Sequence, residues 1–202
     1  MAGDFTVCHV GANYGEEIPK YNNWDHISRI ILVEGNSLVI SMLNKKAKEG
    51  TKKPCIVIPR LISDHTGEEF FHTVIKPENH NYNYYGKPYR NYGASSLETN
   101  YPGRGRYKLV KKKLTKVVTL SKAFEEFGID PYSINWLVID IQNAELKLLK
   151  GFKEVENIEV IDFDSDHLTP AITEFLVDKG FSQTKTRFLN SKKDHKWIKK
   201  LN

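Results

Sequence analysis

Cysteine is scarce in this 202-residue chain: Cys8 and Cys55 are the only two. They lack the short spacing of a metal site and are too few for a disulfide framework, so both read as reduced, structural thiols. Long apolar runs are missing as well. No stretch approaches the twenty or so residues that span a bilayer, and no basic segment leading into an apolar one precedes Phe5. These absences predict an intracellular, cytoplasmic protein without a membrane span. Internal repeats and low-complexity tracts are absent too, which excludes a solenoid or a disordered chain. An excess of one charge is small, with a formal net charge of +5. It gathers in Lys108, Lys111, Lys112, Lys113 and Lys116 and in Lys192, Lys193, Lys196, Lys199 and Lys200. No aromatic residues alternate with these lysines as a nucleic-acid platform requires, so they read as solvated faces and nucleic acid is not the expected partner.

What is present is the composition of a globular domain, 40% hydrophobic and 27% charged. The length suits one domain over 1–202. The first strand, Thr6–Val10, begins almost at once, which reads as a minimal form or a domain excised from a longer chain. A crossover helix is expected over 16–28, with Pro19 limiting where it becomes regular. A second strand, Arg29–Glu34, is apolar on both faces, as parallel strands are. The spacing of Leu38, Val39, Met42, Leu43 and Ala47 predicts a helix over 37–48. Short strands follow at 55–58 and 69–74, then 117–121, with Ser121 as the cap of the next helix. Trp136–Ile141 is the strongest strand, followed by helix 144–150, strand 158–163, helix 169–179 and two last strands within 181–188 and 196–198. Strands alternating with helices predict an α/β fold with a doubly wound, mostly parallel sheet and helices on both faces. Residues 76–107 break the pattern with seven tyrosines among Asn, Gly and Pro. A loop of that length is expected to be a lid or substrate loop, with Tyr and Asn suited to sugars or bases.

Chemistry concentrates where strands end. After the first strand comes Gly11-Ala12-Asn13-Tyr14-Gly15, a turn whose small residues let backbone approach a ligand, and the second strand ends in Glu34, able to accept hydrogen bonds from a ribose diol. That pair fits S-adenosylmethionine or a dinucleotide; the turn lacks the G-x-G-x-x-G spacing of the latter. Asp140 ends another strand, and Asp64 lies after a third. Buried carboxylates at strand ends cost several kcal/mol unless paired or hydrogen bonded, so a function is the better reading. Asp162, Asp164, Asp166 and His167 follow the strand at 158–163. They are candidates for a general base or, with Asp140, for a divalent cation. His9 reads as a strand residue hydrogen bonded in place.

Taken in order, VGANYG (10–15), ILVEGN (31–36), LISDHTG (61–67), GASSL (93–97), VVTL (117–120) and WLVIDIQNAELKLLKGF (136–152) resemble the FkbM family of methyltransferases over about residues 7–182. The resemblance implies a Rossmann-like class I fold and an S-adenosylmethionine-dependent O-methyltransferase, in many relatives acting on a sugar or polyketide hydroxyl. Carried over residue by residue, Gly11, Ala12, Asn13, Tyr14 and Gly15 would face the methionine part of the cofactor. Glu34, with Gly35 and Asn36, would face its ribose. Ser63 and Asp64 would lie by the adenine, and Asp140 with Ile141 at the heart of the site. Asp140, Asp162 and His167 are the catalytic candidates, and Tyr92, Ser95, Ser96 and Gln142 the residues expected to meet the acceptor. The short N-terminus and the Tyr-rich loop are also similar to a methyltransferase domain within multidomain chlorovirus proteins that build capsid glycans, which implies a rhamnose-like acceptor and other domains as partners. Five positions depart from the family pattern, one of them Val138, which stands where a lysine is usual. His9 stands where an acid is usual and Gly35 where a proline is. Gln142 and Asn143 replace a glutamate and a glycine, which weakens any mechanism needing two carboxylates there.

Overall fold

Phe5–Val10 (β1) is buried from Thr6 onward, Ile27–Val33 (β2) is rich in Ile, Leu and Val, and these two strands pair in parallel within the main sheet. The structure is a computed structural model and describes residues 4–75, 82–84, 87–89, 95–98, 108–164, 168–184 and 194–199. The remaining elements are α1 (Ile18–Asn22), α2 (Ile40–Gly50), β3 (Cys55–Ile58), β4 (Leu61–Ile62), β5 (Gly67–Ile75), β6 (Tyr82–Tyr84), β7 (Lys87–Tyr89), β8 (Lys108–Val118), α3 (Leu120–Glu126), β9 (Trp136–Ile139), α4 (Glu145–Gly151), β10 (Val160–Asp164), α5 (Pro170–Asp178), β11 (Phe181–Thr184) and β12 (Asp194–Lys199).

Seven strands form the main sheet in the order β11-β12-β10-β9-β1-β2-β3. The five from β3 to β10 run parallel, whereas β12 is antiparallel to both β10 and β11. Helices cover both faces, as expected of a doubly wound sheet. Ile18 and Tyr21 of α1 and Leu43 and Ala47 of α2 pack on Val7, Ile30, Leu32 and Trp136. On the other face, Phe124 of α3, Leu148 and Leu149 of α4, and Ile172 and Leu176 of α5 meet Cys8, Val10, Ile31, Val33 and Ile139. No helix among the described residues is long and apolar enough to cross a membrane.

Two elements differ from the sequence reading. The crossover helix is a single short turn, because Pro19 occupies its first turn and no side chain caps it. The lysines at 108–116 lie on an eleven-residue strand, β8, that the sequence reading did not mark, paired along its length with β5 in a small second sheet of order β4-β8-β5; Lys111, Lys112, Lys113 and Lys116 are exposed, as solvated faces are. The cap of α3 is Thr119, whose hydroxyl accepts from Lys122 N at 3.1 Å, rather than Ser121. Residues 76–81, 85–86, 90–94 and 99–107 of the Tyr-rich segment lie outside the described residues, Tyr92 among them.

Candidate active site

Ligands in open α/β sheets bind beyond the carboxyl ends of the strands, at the point where the strand order reverses. Here that point lies between β1 and β9, where the two chains nearly touch. Gly11 has a φ of +86°, and a Cβ on it would sit 1.9 Å from the Asp140 carbonyl oxygen. Only glycine fits there. Gly11 and Ala12 donate backbone N–H groups to the Val33 carbonyl at 2.9 and 3.1 Å, and Asp140 N donates to Val10 O at 2.9 Å. The turn is thereby stitched to β2 on one side and β9 on the other.

Glu34, 9% exposed, closes the turn from the tip of β2. Its Oε2 accepts the Asn13 N–H at 2.8 Å and its Oε1 the Asn36 N–H at 2.7 Å. Burial pushes its carboxyl above the usual range, while the N–H groups of Asn36, Asn13 and Gly35 pull it back. An ionised carboxylate has about four acceptor positions, so capacity remains for a diol. Asn36 Oδ1 accepts from Leu38 N at 3.1 Å.

Asp140 is exposed at the rim, and Gln142 Nε2 donates to its Oδ1 at 2.8 Å. Gln142 and Asn143 both take left-handed conformations, φ 55° and 80°. This explains the departure at 143: where the family has glycine this chain has asparagine, the side chain that best tolerates that region. Glu145, 1% exposed, accepts the Asn143 N–H at 3.2 Å and steadies the turn.

Over the cleft lies residues 95–98. Ser95 Oγ accepts from Asn36 Nδ2 at 3.4 Å and from Val74 N at 3.2 Å. Ser96 bridges to His72 through backbone hydrogen bonds and donates its hydroxyl to Gln142 O at 2.7 Å. Glu98 pairs with Lys147 at 3.0 Å, and Lys147 also holds Glu69 at 2.7 Å. Beneath this strap the cleft has a polar end of Gly11, Asn13, Glu34, Asn36 and Asp140. Its apolar end consists of Leu61, Ile62, Phe71, Leu97, Ile141 and Ala144, with Arg60 at the edge. The cavity measures about 50 Å³.

The other expected site residues fall elsewhere. Tyr14 is buried, and Gly15 packs against Ile18 and Leu43, where a Cβ would meet Ile18 Cδ1 at 2.8 Å. Ser63 is fully buried and donates to Glu69 and, at 3.3 Å, to Asp64. Asp64 is exposed against His65 at 2.8 Å, whose hydrogen bond holds its carboxyl below the usual range. Neither lines the cleft; the residues just before them, Arg60 to Ile62, do. Gly151 of the long motif serves this turn, since a Cβ there would lie 2.5 Å from Ser63 O. Asp162 lies in the sheet, 1% exposed, where its Oδ2 accepts from Trp136 Nε1 at 2.9 Å opposite Lys196. Asp140 and Asp162 join no cluster of three ligands among the described residues; the one such cluster is Asp64, His65 and Glu69. Nothing of His167 or of the Asp164 side chain belongs to the described residues. His9 is held as expected, its Nδ1 3.0 Å from Tyr21 Oη.

Of the apolar end, sequence reasoning named Ile141; it missed Phe71, which belongs to no motif, and gave no role to Leu61, Ile62 or Leu97, although LISDHTG and GASSL contain them.

No curated protein matches the sequence. Among solved structures the chain is similar to M. capricolum TrmK in complex with S-adenosylhomocysteine, at 8% identity and TM-score 0.49, over 96% of this chain and 61% of that one. It thus spans about three fifths of TrmK. It is also similar to precorrin-6y C5,15-methyltransferase from Geobacter metallireducens, at 14% identity and TM-score 0.49, over 98% and 83% of the two chains. A third likeness is to magnesium protoporphyrin IX methyltransferase from Synechocystis with bound S-adenosylmethionine, at 10% identity and TM-score 0.48, over 98% and 72%. The methyltransferase FkbM domain model matches residues 9–183, from the strand before the glycine turn to β11. The chain belongs to the FkbM methyltransferase domain family.

Proposed function

We propose that this chain transfers a methyl group from S-adenosylmethionine to a sugar hydroxyl, with a rhamnose-like glycan unit as the first acceptor to test. The observation that carries the reading is the Gly11–Asp140 contact at the strand-order reversal, with Glu34 of β2 closing the same cleft. The residues fit the cofactor: the apolar end suits adenine, Glu34 the ribose diol, and Gly11 and Asn13 the methionine part. S-adenosylmethionine supplies a methyl group on a sulfonium, open to in-line displacement by an oxygen.

The chain's share is alignment and proton removal. Holding the acceptor in line lowers the barrier by several kcal/mol. A sugar hydroxyl is a weak nucleophile at neutral pH, so a base within hydrogen-bond reach assists. Asp140 is that base in this reading: it lies at the rim, and Gln142 orients its carboxylate. Asp162, enclosed against Trp136, is an anchor of the sheet instead. Ser95, Ser96 and Gln142 border the acceptor side in this reading; Tyr92 and His167, also expected there, lie outside the described residues.

A second reading, methylation of a nucleic acid, draws on the exposed Lys111, Lys112, Lys113 and Lys116 of β8 beside the exposed Phe70. Exposed lysines on a strand also serve to prevent strand-to-strand aggregation, which accounts for them without a ligand. Incubation with labelled S-adenosylmethionine and either rhamnosides or RNA separates the two. Label on the sugar supports the proposal; label on RNA alone, lost steeply with added salt, replaces it.

A further inference from the structure

Asn13 is gripped from two sides. Its backbone N–H donates to Glu34 Oε2 at 2.8 Å, and its side-chain Nδ2 donates to Glu16 Oε1 at 3.3 Å. It lines the cleft with a φ of 45°, a conformation that a non-glycine residue keeps when its surroundings over-determine it. Glu34 belongs to the cleft already described. Glu16 does not: it follows the glycine turn, half-buried, with Glu17 beside it and Lys46 of α2 opposite.

We propose that Glu16 is a positioning residue for the cofactor, its carboxylate orienting the Asn13 amide and so presenting the polar edge of the turn to the methionine end of S-adenosylmethionine. This rests on the reading of the cleft given above. A purely structural role, in which Glu16 serves to pair with Lys46 and tie the turn to α2, differs in what pH does to binding. Burial pushes the Glu16 carboxyl up to about 7; its own backbone N–H opposes this, Glu17 adds to it, and Lys46 opposes it. The ionised form holds the amide by a charge-assisted hydrogen bond, roughly twice as strong as a neutral one. Cofactor affinity accordingly rises as pH climbs through about 7. The other carboxyl gripping Asn13, Glu34, is also pushed up by burial, so the test must separate the two.

Calorimetric titration with S-adenosylhomocysteine at pH values of about 6, 7 and 8 does so, using the wild-type chain, Glu16→Gln and Glu16→Ala. Wild type is expected to bind roughly threefold to tenfold more tightly at the highest pH than at the lowest. Glu16→Gln keeps an oxygen for the Asn13 amide and should bind with one intermediate affinity throughout; Glu16→Ala should bind weakly at every pH. A wild-type pH step surviving in Glu16→Gln assigns it to Glu34 and overturns the proposal, as does wild-type affinity in Glu16→Ala. Should Glu16→Ala fail to melt cooperatively, the near-isosteric Glu16→Gln decides alone. Wild type that binds no S-adenosylhomocysteine at any pH overturns the cofactor reading and this proposal with it, an outcome seen before any variant is compared.

Discussion

Gly11 and Asp140 meet through their backbones, so closely that a single methyl group on Gly11 would lie 1.9 Å from the Asp140 carbonyl oxygen. The glycine turn and the candidate base therefore cannot move independently. Gly11→Ala must push β1 and β9 apart and also hold alanine at a φ of +86°, which alone costs about 1–2 kcal/mol. The expected outcome is loss of S-adenosylhomocysteine binding in calorimetry, with a lowered melting temperature. Retained binding would mean that the turn does not cradle the ligand.

Gln142 keeps a second negative charge away from Asp140. Its amide donates to the Asp140 carboxylate at 2.8 Å, where a glutamate would set two acids against each other and raise their apparent pKa values. Gln142→Glu should shift the acid limb of the pH–rate profile upward by about one unit. An unshifted limb would argue against Asp140 as the base.

Glu16 also has a consequence for the ligand-free protein. Burial lifts its folded-state pKa from the ordinary glutamate value of 4.5 to about 7, so the folded chain binds the proton more tightly than the unfolded one. The stabilisation is fully present below about 4.5 and is lost as pH rises through about 7. Glu16→Gln, which needs no proton, should melt at a higher temperature than wild type above that pH, with the gap closing towards pH 5. A gap that widens in acid would contradict the assigned direction.

Trp136 supplies the indole N–H that Asp162 accepts within the sheet. Trp136→Phe deprives an almost wholly buried carboxylate of a donor and should destabilise the chain by about 1–3 kcal/mol in denaturant unfolding, beyond the loss of ring area. A Trp136→Phe variant of wild-type stability would show that the bond carries no net free energy.

Both thiols should resist alkylation in the native state. Cys8 is fully buried with its pKa pushed up by burial, and burial lifts Cys55 to about 11, so little thiolate exists at neutral pH. Thiol labelling should await unfolding; rapid native labelling of Cys8 would show that β1 opens locally.

The polar end of the cleft was legible in the sequence because its chemistry is local. The glycine turn, Glu34 and Asp140 each follow an apolar run by one residue, and strand ends in an α/β sheet share one rim. Most of the apolar end was not, since Leu61, Phe71 and Leu97 converge only through the pairing of β5 with β8 and the bridge from His72 to Ser96. Asp162 was placed near the rim because alternation along β10 does not say how far a side chain sits below the strand end. The register puts it beside Val138, two residues before Asp140. The lysines of β8 concealed a strand because charge on both faces erases the period-two pattern.

The insertion of β12 between β10 and β11 bears on the order in which the protein forms during synthesis. Residues 181–184 leave the ribosome before residues 194–199, yet among the described residues β12 is the strand that joins them to the sheet. Until β12 emerges, the described strand pairing of β10 on that side and of β11 is incomplete, so a stalled nascent chain is vulnerable to wrong pairing there. The strands that carry Gly11, Glu34 and Asp140 have already been made by then. The cleft can mature on the ribosome while the far side of the sheet waits for β12.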